Sequence, residues 1–365
     1  MTSTRIVFSN GVVSQASDTP SVSTFLQERR GAYTTTRTHN NGSCLLFWER
    51  HLRRLASSAR ILYNSSPNLL FKSPTPSGLE PIRTPSSSSS LSMWESMIKS
   101  LVNDSMNEAL PIALKERRDG EELAVTVLVS GDYGKLSGIE NMGSDDFLGV
   151  FDVSVHFSGY VPFVFGVEGT GARLALVGRG RDVAEAKYSD WVRLRKPLEK
   201  LRPPSVTELL LSNDGDQLLE GSITNFFVVC RKDNSEAEDK FLQTCNNSHS
   251  FEVQTAPISD GVLPGVIRQL VIEVCRSKGI PIREVASSWS QHELWKEAFI
   301  TSSLRVLQHV ESIQVPKTWE LQELDCWNDI AWEQKLFEGG PGMITKTIQE
   351  EIMERVGLGG YTLKR

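Results

Sequence analysis

Residues 208–230, ELLLSNDGDQLLEGSITNFFVVC, constrain this chain more than any other stretch. Residues 208–211 read as a buried strand. Asn213, Asp214, Gly215 and Asp216 tolerate positive φ and supply a tight turn, and residues 218–229 read as the partner strand of a hairpin. Inside the return strand, Glu220 and Gly221 interrupt a hydrophobic run at a point where a segment built only for packing would hold Val or Ile. A carboxylate buried alone is costly or takes up a proton, so it needs a partner. Gly221 lets backbone or ligand approach closely, and Ser222, Thr224 and Asn225 add hydroxyl and amide groups along the same edge. Two readings of the segment stand: a polar ligand site built on a hairpin, or a bulge that turns Glu220 to solvent.

At 365 residues the chain is long enough for two domains, and 39% hydrophobic with 23% charged residues is the composition of a globular protein. The net charge of -6, with Lys and Arg dispersed, leaves no basic face for nucleic acid or an anionic membrane. Small-molecule chemistry is the expectation. The five cysteines, Cys44, Cys230, Cys245, Cys275 and Cys326, are odd in number and lack CxxC spacing, which predicts reduced thiols in a reducing compartment. No window approaches the length of a membrane-spanning apolar run, and the opening MTSTRIVFSNGVV runs into a strand and an Asn-Gly turn with little room for a cleaved leader. A cytoplasmic location follows as the expectation.

Along the chain, residues 5–8 and 11–13 flank the Asn10-Gly11 turn, and residues 32–38, AYTTTRT, are rich in strand formers. Leu52, Leu55, Ala56 and Ala59 recur at helical spacing within residues 45–62. Residues 65–92 change to Ser and Pro and read as an inserted loop; helical periodicity resumes over 93–110, and 123–130 and 149–155 read as strands. Residues 159–167 then connect to a second domain. The expected division is an α+β domain over 1–158 and an α/β domain over 159–365. Residues 191–201 offer a helix that Pro197 would break or kink. Residues 262–268, VLPGVIR, open a further helix over 269–278, whose start presents unpaired N–H groups and a positive dipole end. Residues 299–303, FITSS, form a strand end loaded with hydroxyls.

Taken together these segments resemble the class IV, or fold-type IV, pyridoxal-phosphate enzymes, which include branched-chain and D-amino-acid aminotransferases and aminodeoxychorismate lyase. The signature E-G-x-x-[ST]-N-x-F is matched by Glu220, Gly221, Ser222, Ile223, Thr224, Asn225, Phe226 and Phe227. His51-Leu52-Arg53-Arg54-Leu55 is similar to the family's H-x-x-R-L, and 263–268 to its L-x-G-[IV]-T-R, with Ile267 in place of the Thr. The resemblance covers most of residues 5–313, with its elements in family order.

The resemblance implies a D-amino-acid aminotransferase-like fold holding pyridoxal 5'-phosphate. Lys187, which precedes Glu220 by an interval similar to the family's, would bind the cofactor as a Schiff base and shuttle the Cα proton. Glu220 would pair with the pyridine nitrogen. Arg54, Ser302, Ser303 and the amides of Val266 and Ile267 would grip the phosphate, Thr224 and Asn225 would line the cofactor, and Tyr33 would face cofactor or substrate. No metal is implied. Guanidinium suits phosphate because its planar donors meet two oxygens at once. The implied reaction is transamination between an amino acid and a 2-oxo acid in a homodimer. β-Elimination at the same site, as in aminodeoxychorismate lyase, and a catalytically silent cofactor-binding or scaffold role are the alternatives.

Overall fold

The structure is a computed structural model that describes residues 5–15, 19–72, 90–136, 149–167, 169–231, 251–319, 326–359 and 361–362. The chain divides into two compact units, one of residues 1–162, 185–194 and 359–365, the other of 163–184 and 195–358. The short segment around Lys187 therefore belongs to the first unit, although the strands on either side of it in sequence belong to the second.

In the first unit, strands β1 (Arg5–Ser9), β2 (Val12–Gln15), β3 (Ala32–His39), β4 (Cys44–Leu45), β5 (Glu122–Gly131) and β6 (Phe151–Tyr160) join the pair Tyr361–Thr362 in one sheet. Asn10 and Gly11 both take positive φ, the geometry that a two-residue hairpin turn between β1 and β2 demands. Every pairing in this sheet is antiparallel, and β3, β5 and β6 carry its long central registers. The helix Trp48–Ser65 buries Leu52, Leu55, Ala56 and Ala59, the stripe the sequence spacing predicts, and Leu62 beyond it. It starts three residues later than that spacing suggests, because Cys44–Leu45 is taken up in pairing with β3. The helix Leu91–Lys115 packs Trp94 edge-on to Phe151, and its first turn is capped by Ser90, whose Oγ accepts from the N–H of Met93. Of the Ser/Pro-rich segment, the described part contains a 3₁₀ turn, Pro67–Leu69, and residues 73–89 lie outside the described residues.

The second unit is a mixed sheet of β7 (Ala172–Gly178), β8 (Glu208–Ser212), β9 (Gln217–Gly221), β10 (Asn225–Arg231), β11 (Phe251–Thr255), β12 (Ile282–Glu284), β13 (Ser287–Ser288), β14 (Trp295–Ser302), β15 (Val306–Pro316) and β16 (Trp332–Leu336). The central strands run as near-continuous apolar stretches, as expected where both faces are covered. Phe227 stacks on Phe299 at 4.8 Å, and Leu174, Leu210, Phe226, Ile300 and Ile313 share one buried cluster.

One strand differs from the sequence expectation. The predicted return strand over 218–229 is two strands: β9 pairs with β8, the chain turns at 222–224, and β10 continues between β11 and β14. The cause is local. The N–H of Gly221 donates to the carbonyl of Thr224, which closes a tight turn and leaves Glu220 and Asn225 opposite one another. The helix offered by 191–201 is broken, as Pro197 leads one to expect, into Trp191–Leu194 and Lys196–Lys200. Pro197 lies in the first turn of the second piece, where its missing N–H costs nothing. Among the described residues no helix is long and apolar enough to cross a membrane, and Cys44, Cys230, Cys275 and Cys326 are free thiols.

Candidate active site

Three of the predicted site residues sit together in the first unit. Lys187 follows a loop and enters a short pairing with β3: the N–H of Tyr33 donates to the carbonyl of Lys187 at 2.9 Å, and that of Ser189 to the carbonyl of Gly31 at 3.0 Å. The N–H of Lys187 donates to Ser58 Oγ at 3.1 Å on the Trp48–Ser65 helix, and Ser189 Oγ to the carbonyl of Arg29 at 2.6 Å. The main chain at the lysine is thus fixed from both sides. Its Nζ lies 4.7 Å over the ring of Tyr33, a residue only 5% exposed.

Arg54 lies on the buried face of that same helix, and its Nη2 donates to Thr34 Oγ1 at 2.6 Å. Thr34 Oγ1 lies 2.8 Å from His51 Nδ1. The Thr34 hydroxyl thus bridges Arg54 and His51. Burial, and then the charges of Arg54 and Lys187, hold the His51 imidazole well below its ordinary range, so it is neutral. Its place in helix packing is what the sequence suggests; it is not a proton donor at neutral pH.

The remaining predicted residues belong to the second unit and converge on the turn between β9 and β10. Glu220 is 2% exposed, and both of its oxygens are engaged. Oε1 accepts from Arg181 through Nε at 3.0 Å and Nη2 at 2.9 Å; Oε2 accepts from the N–H of Leu263 at 2.9 Å and from Asn225 Nδ2 at 3.3 Å. The carboxylate is thus oriented from both sides, by a guanidinium on one oxygen and by neutral N–H donors on the other. Asn225 also donates to the carbonyl of Leu263 at 2.9 Å, which ties the hairpin to the loop before the Val266–Lys278 helix.

Two glycines set the clearances. A Cβ on Gly221 would stand 2.0 Å from Thr224 Oγ1, and one on Gly265 would stand 2.1 Å from Asn225 Oδ1. Thr224 Oγ1 itself is buried and has no hydrogen-bond partner among the described residues. Gly265 is the N-cap of the Val266–Lys278 helix and supplies no side-chain cap, so the amides of Val266 and Ile267 open the helix with the dipole's positive end. The helix begins three residues earlier than the sequence suggests, which makes Val266 and Ile267 its first turn.

The register Asn225↔Thr301 brings the end of β14 beside the turn. Ser302 closes β14 and Ser303 lies in the turn to β15, where Ser302 Oγ accepts from the N–H of Arg305 at 3.2 Å. The return is sharp enough to hold Val306, a β-branched residue, at φ 63. Such a backbone is costly for a β-branched residue and persists only where its surroundings impose it.

Sequence reasoning missed Arg181, the Leu263 amide, Thr34 and Ser58. Arg181 left a trace: the run Gly178-Arg179-Gly180-Arg181 ends an apolar strand just before Lys187. The others act through tertiary contacts that no local pattern announces. Glu208, read as part of a plain buried strand, is a second buried carboxyl; its Oε1 accepts from Ser222 Oγ at 2.8 Å and from the N–H of Leu209 at 2.9 Å.

Comparison with known proteins bears on family and fold. The family model described as Amino-transferase class IV matches residues 172–313, which contain Arg181, Lys187, Glu220, Asn225, Val266, Ile267, Ser302 and Ser303. No curated protein sequence matches the chain. Among solved structures, the branched-chain aminotransferase of Thermoproteus uzoniensis with norvaline is 18% identical with a TM-score of 0.57, covering 98% of this chain and 96% of its own. A putative branched-chain amino acid aminotransferase from Thermotoga maritima is 18% identical with a TM-score of 0.54, covering 96% of each chain. An aminotransferase from Brucella abortus bound to PLP is 14% identical with a TM-score of 0.55, covering 97% of this chain and 99% of its own. The chain thus carries an amino-transferase class IV region over residues 172–313 and has the fold of the fold-type IV aminotransferases.

Proposed function

We propose that the chain is a pyridoxal-5'-phosphate-dependent aminotransferase that moves an amino group between an amino acid and a 2-oxo acid. The observation that carries this reading is the buried, cation-paired Glu220 carboxylate inside the class IV match. The residues present fit the cofactor. Glu220 offers a pyridinium N–H its acceptor, the uncapped start of the Val266–Lys278 helix offers amides to a phosphate, and Gly265 leaves the close approach that a Cβ would fill. When bound, pyridoxal phosphate supplies an electron-accepting ring that stabilises a substrate carbanion.

The chain's own residues would then divide the work. Lys187 supplies the amine that holds the cofactor and, once released by the incoming amino acid, takes the Cα proton and returns it. Its fixed main chain limits the side chain's reach to one arc, a positioning gain of the kind that lowers the entropy of reaction. Glu220 keeps the ring nitrogen protonated. In the second unit Ser302, Ser303 and the amides of Val266 and Ile267 would serve the phosphate and Thr224 and Asn225 would line the cofactor; in the first unit the family resemblance assigns Arg54 to the phosphate and Tyr33 to cofactor or substrate. The amide of Ile267 serves where the family's Thr would add a hydroxyl. A homodimer in the cytoplasm, where the free thiols stay reduced, completes the reading.

The test is the visible spectrum of the purified chain with pyridoxal phosphate, beside Lys187→Ala, before and after borohydride and after pools of L- and D-amino acids. A band that borohydride fixes covalently only when Lys187 is present supports the assignment, and the pool that bleaches it identifies the substrate class. Release of a keto acid without consumption of a 2-oxo acid would replace transamination with elimination. A reducible band that survives Lys187→Ala would refute the lysine's role.

A further inference from the structure

We propose that Arg181 is a positioning residue for the cofactor site: its guanidinium fixes the orientation of Glu220, the carboxylate assigned to the pyridine nitrogen. The proposal rests on the reading of Glu220 as the ring-nitrogen partner. It stands on geometry. Two nitrogens of one guanidinium, Nε at 3.0 Å and Nη2 at 2.9 Å, converge on Glu220 Oε1, and the side chains of both residues are at most 5% exposed. Nη2 also donates to the carbonyl of Ala184 at 3.1 Å, inside the loop that leads to Lys187. That loop holds Val183 at φ 50, a left-handed backbone a β-branched residue adopts only when its surroundings impose it.

The division of labour on the carboxylate is uneven. Oε1 is committed to Arg181, whereas Oε2 receives only neutral donors, the Leu263 amide and the longer contact from Asn225. A buried carboxylate stripped of its cation tends to take up a proton. It would then present an O–H donor where a pyridinium N–H requires an acceptor, and the ring would lose its charge. Lysine is a poor substitute, because a single ammonium cannot direct two donors of a rigid fork at one oxygen and reach the Ala184 carbonyl as well.

The experiment compares wild type, Arg181→Lys and Arg181→Met as apoproteins, measuring affinity for pyridoxal phosphate and for its deaza analogue, whose ring carries carbon in place of nitrogen. Unfolding by denaturant is followed in parallel for Arg181→Met, Glu220→Gln and the double variant. Wild type is expected to favour pyridoxal phosphate over the analogue by roughly 10- to 100-fold, the worth of one charge-assisted hydrogen bond. That ratio should collapse toward unity in Arg181→Met and lie between in Arg181→Lys. The double variant should be less destabilised than the two single changes together predict. If Arg181→Met weakens both ligands equally and keeps the ratio, Arg181 is merely structural and the proposal fails while the Glu220 contact stands. A wild type that binds both ligands alike would refute the ring-nitrogen contact, and the proposal with it. Where Arg181→Met does not fold, the ratio in Arg181→Lys decides.

Discussion

Tyr33 and Lys187 are joined twice: the main-chain N–H of Tyr33 donates to the Lys187 carbonyl at 2.9 Å, and Lys187 Nζ lies 4.7 Å over the centre of the Tyr33 ring. A residue of the third strand thereby sets both the backbone and the side chain of a lysine far away in sequence. The ring face attracts an ammonium and excludes water from one side of it, so β3 shapes the environment of the proposed nucleophile before any ligand arrives.

Tyr33 also packs with Val7, Phe25, Leu128 and Val192 in one buried cluster. Tyr33→Ala should therefore cost about 3 kcal/mol of folding free energy, whereas Tyr33→Leu, which keeps most of the apolar volume and loses the ring face, should cost about 1 kcal/mol. Denaturant unfolding of both variants measures the difference. Equal costs would mean that the ring face, and not the apolar volume, carries the contribution, whereas a Tyr33→Leu cost near zero would mean that the ring contributes volume and nothing more.

Gly265→Ala should disturb the site without unfolding it. The new Cβ would meet Asn225 Oδ1 at 2.1 Å, so the amide must move away from Glu220 and the Leu263 carbonyl. Loss of one hydrogen bond of this kind predicts pyridoxal-phosphate affinity lower by about 10-fold, read by titrating the apoprotein. Unchanged affinity would show that Asn225 has slack the structure does not suggest.

Glu208 predicts a pH dependence of opposite sign to the usual carboxylate. Burial raises its carboxyl above the ordinary value of 4.5, against smaller lowering effects from Ser222, Arg305, the Leu209 amide and Arg195. The folded chain therefore holds a proton there that the unfolded chain has released, so this group's contribution is intact below the unfolded value and is lost as pH rises from there through the folded one. Glu208→Gln, which cannot ionise, should gain stability relative to wild type over that interval and level off above it. Chemical denaturation from pH 4 to pH 8 checks this, and a difference that shrinks with rising pH would reverse the assignment.

Much of this protein was legible in its residues because the relevant physics is local. Asn10-Gly11 turns, the Leu and Ala stripe of the Trp48–Ser65 helix, and the buried hairpin carrying Glu220 all announce themselves through backbone preference and hydrophobic period. The candidate lysine was reached only through the family resemblance, by its interval to Glu220 along the chain.

What tertiary structure decided is who meets whom. Nothing local distinguishes Arg181 from Arg179, yet only Arg181 is seen to close on Glu220, because the turn after β7 aims it inward. Nothing local says that a strand read as continuous over 218–229 must break at 222–224, since that break follows from a Gly221–Thr224 hydrogen bond and from β10 being claimed by β11 and β14. Backbone propensity and patterning act over a few residues, whereas the pairing of a buried charge depends on which distant donor the fold brings within three ångströms. The sequence determined the elements and the chemistry they carry; the packed structure alone decided the partners of the lysine and the carboxylate.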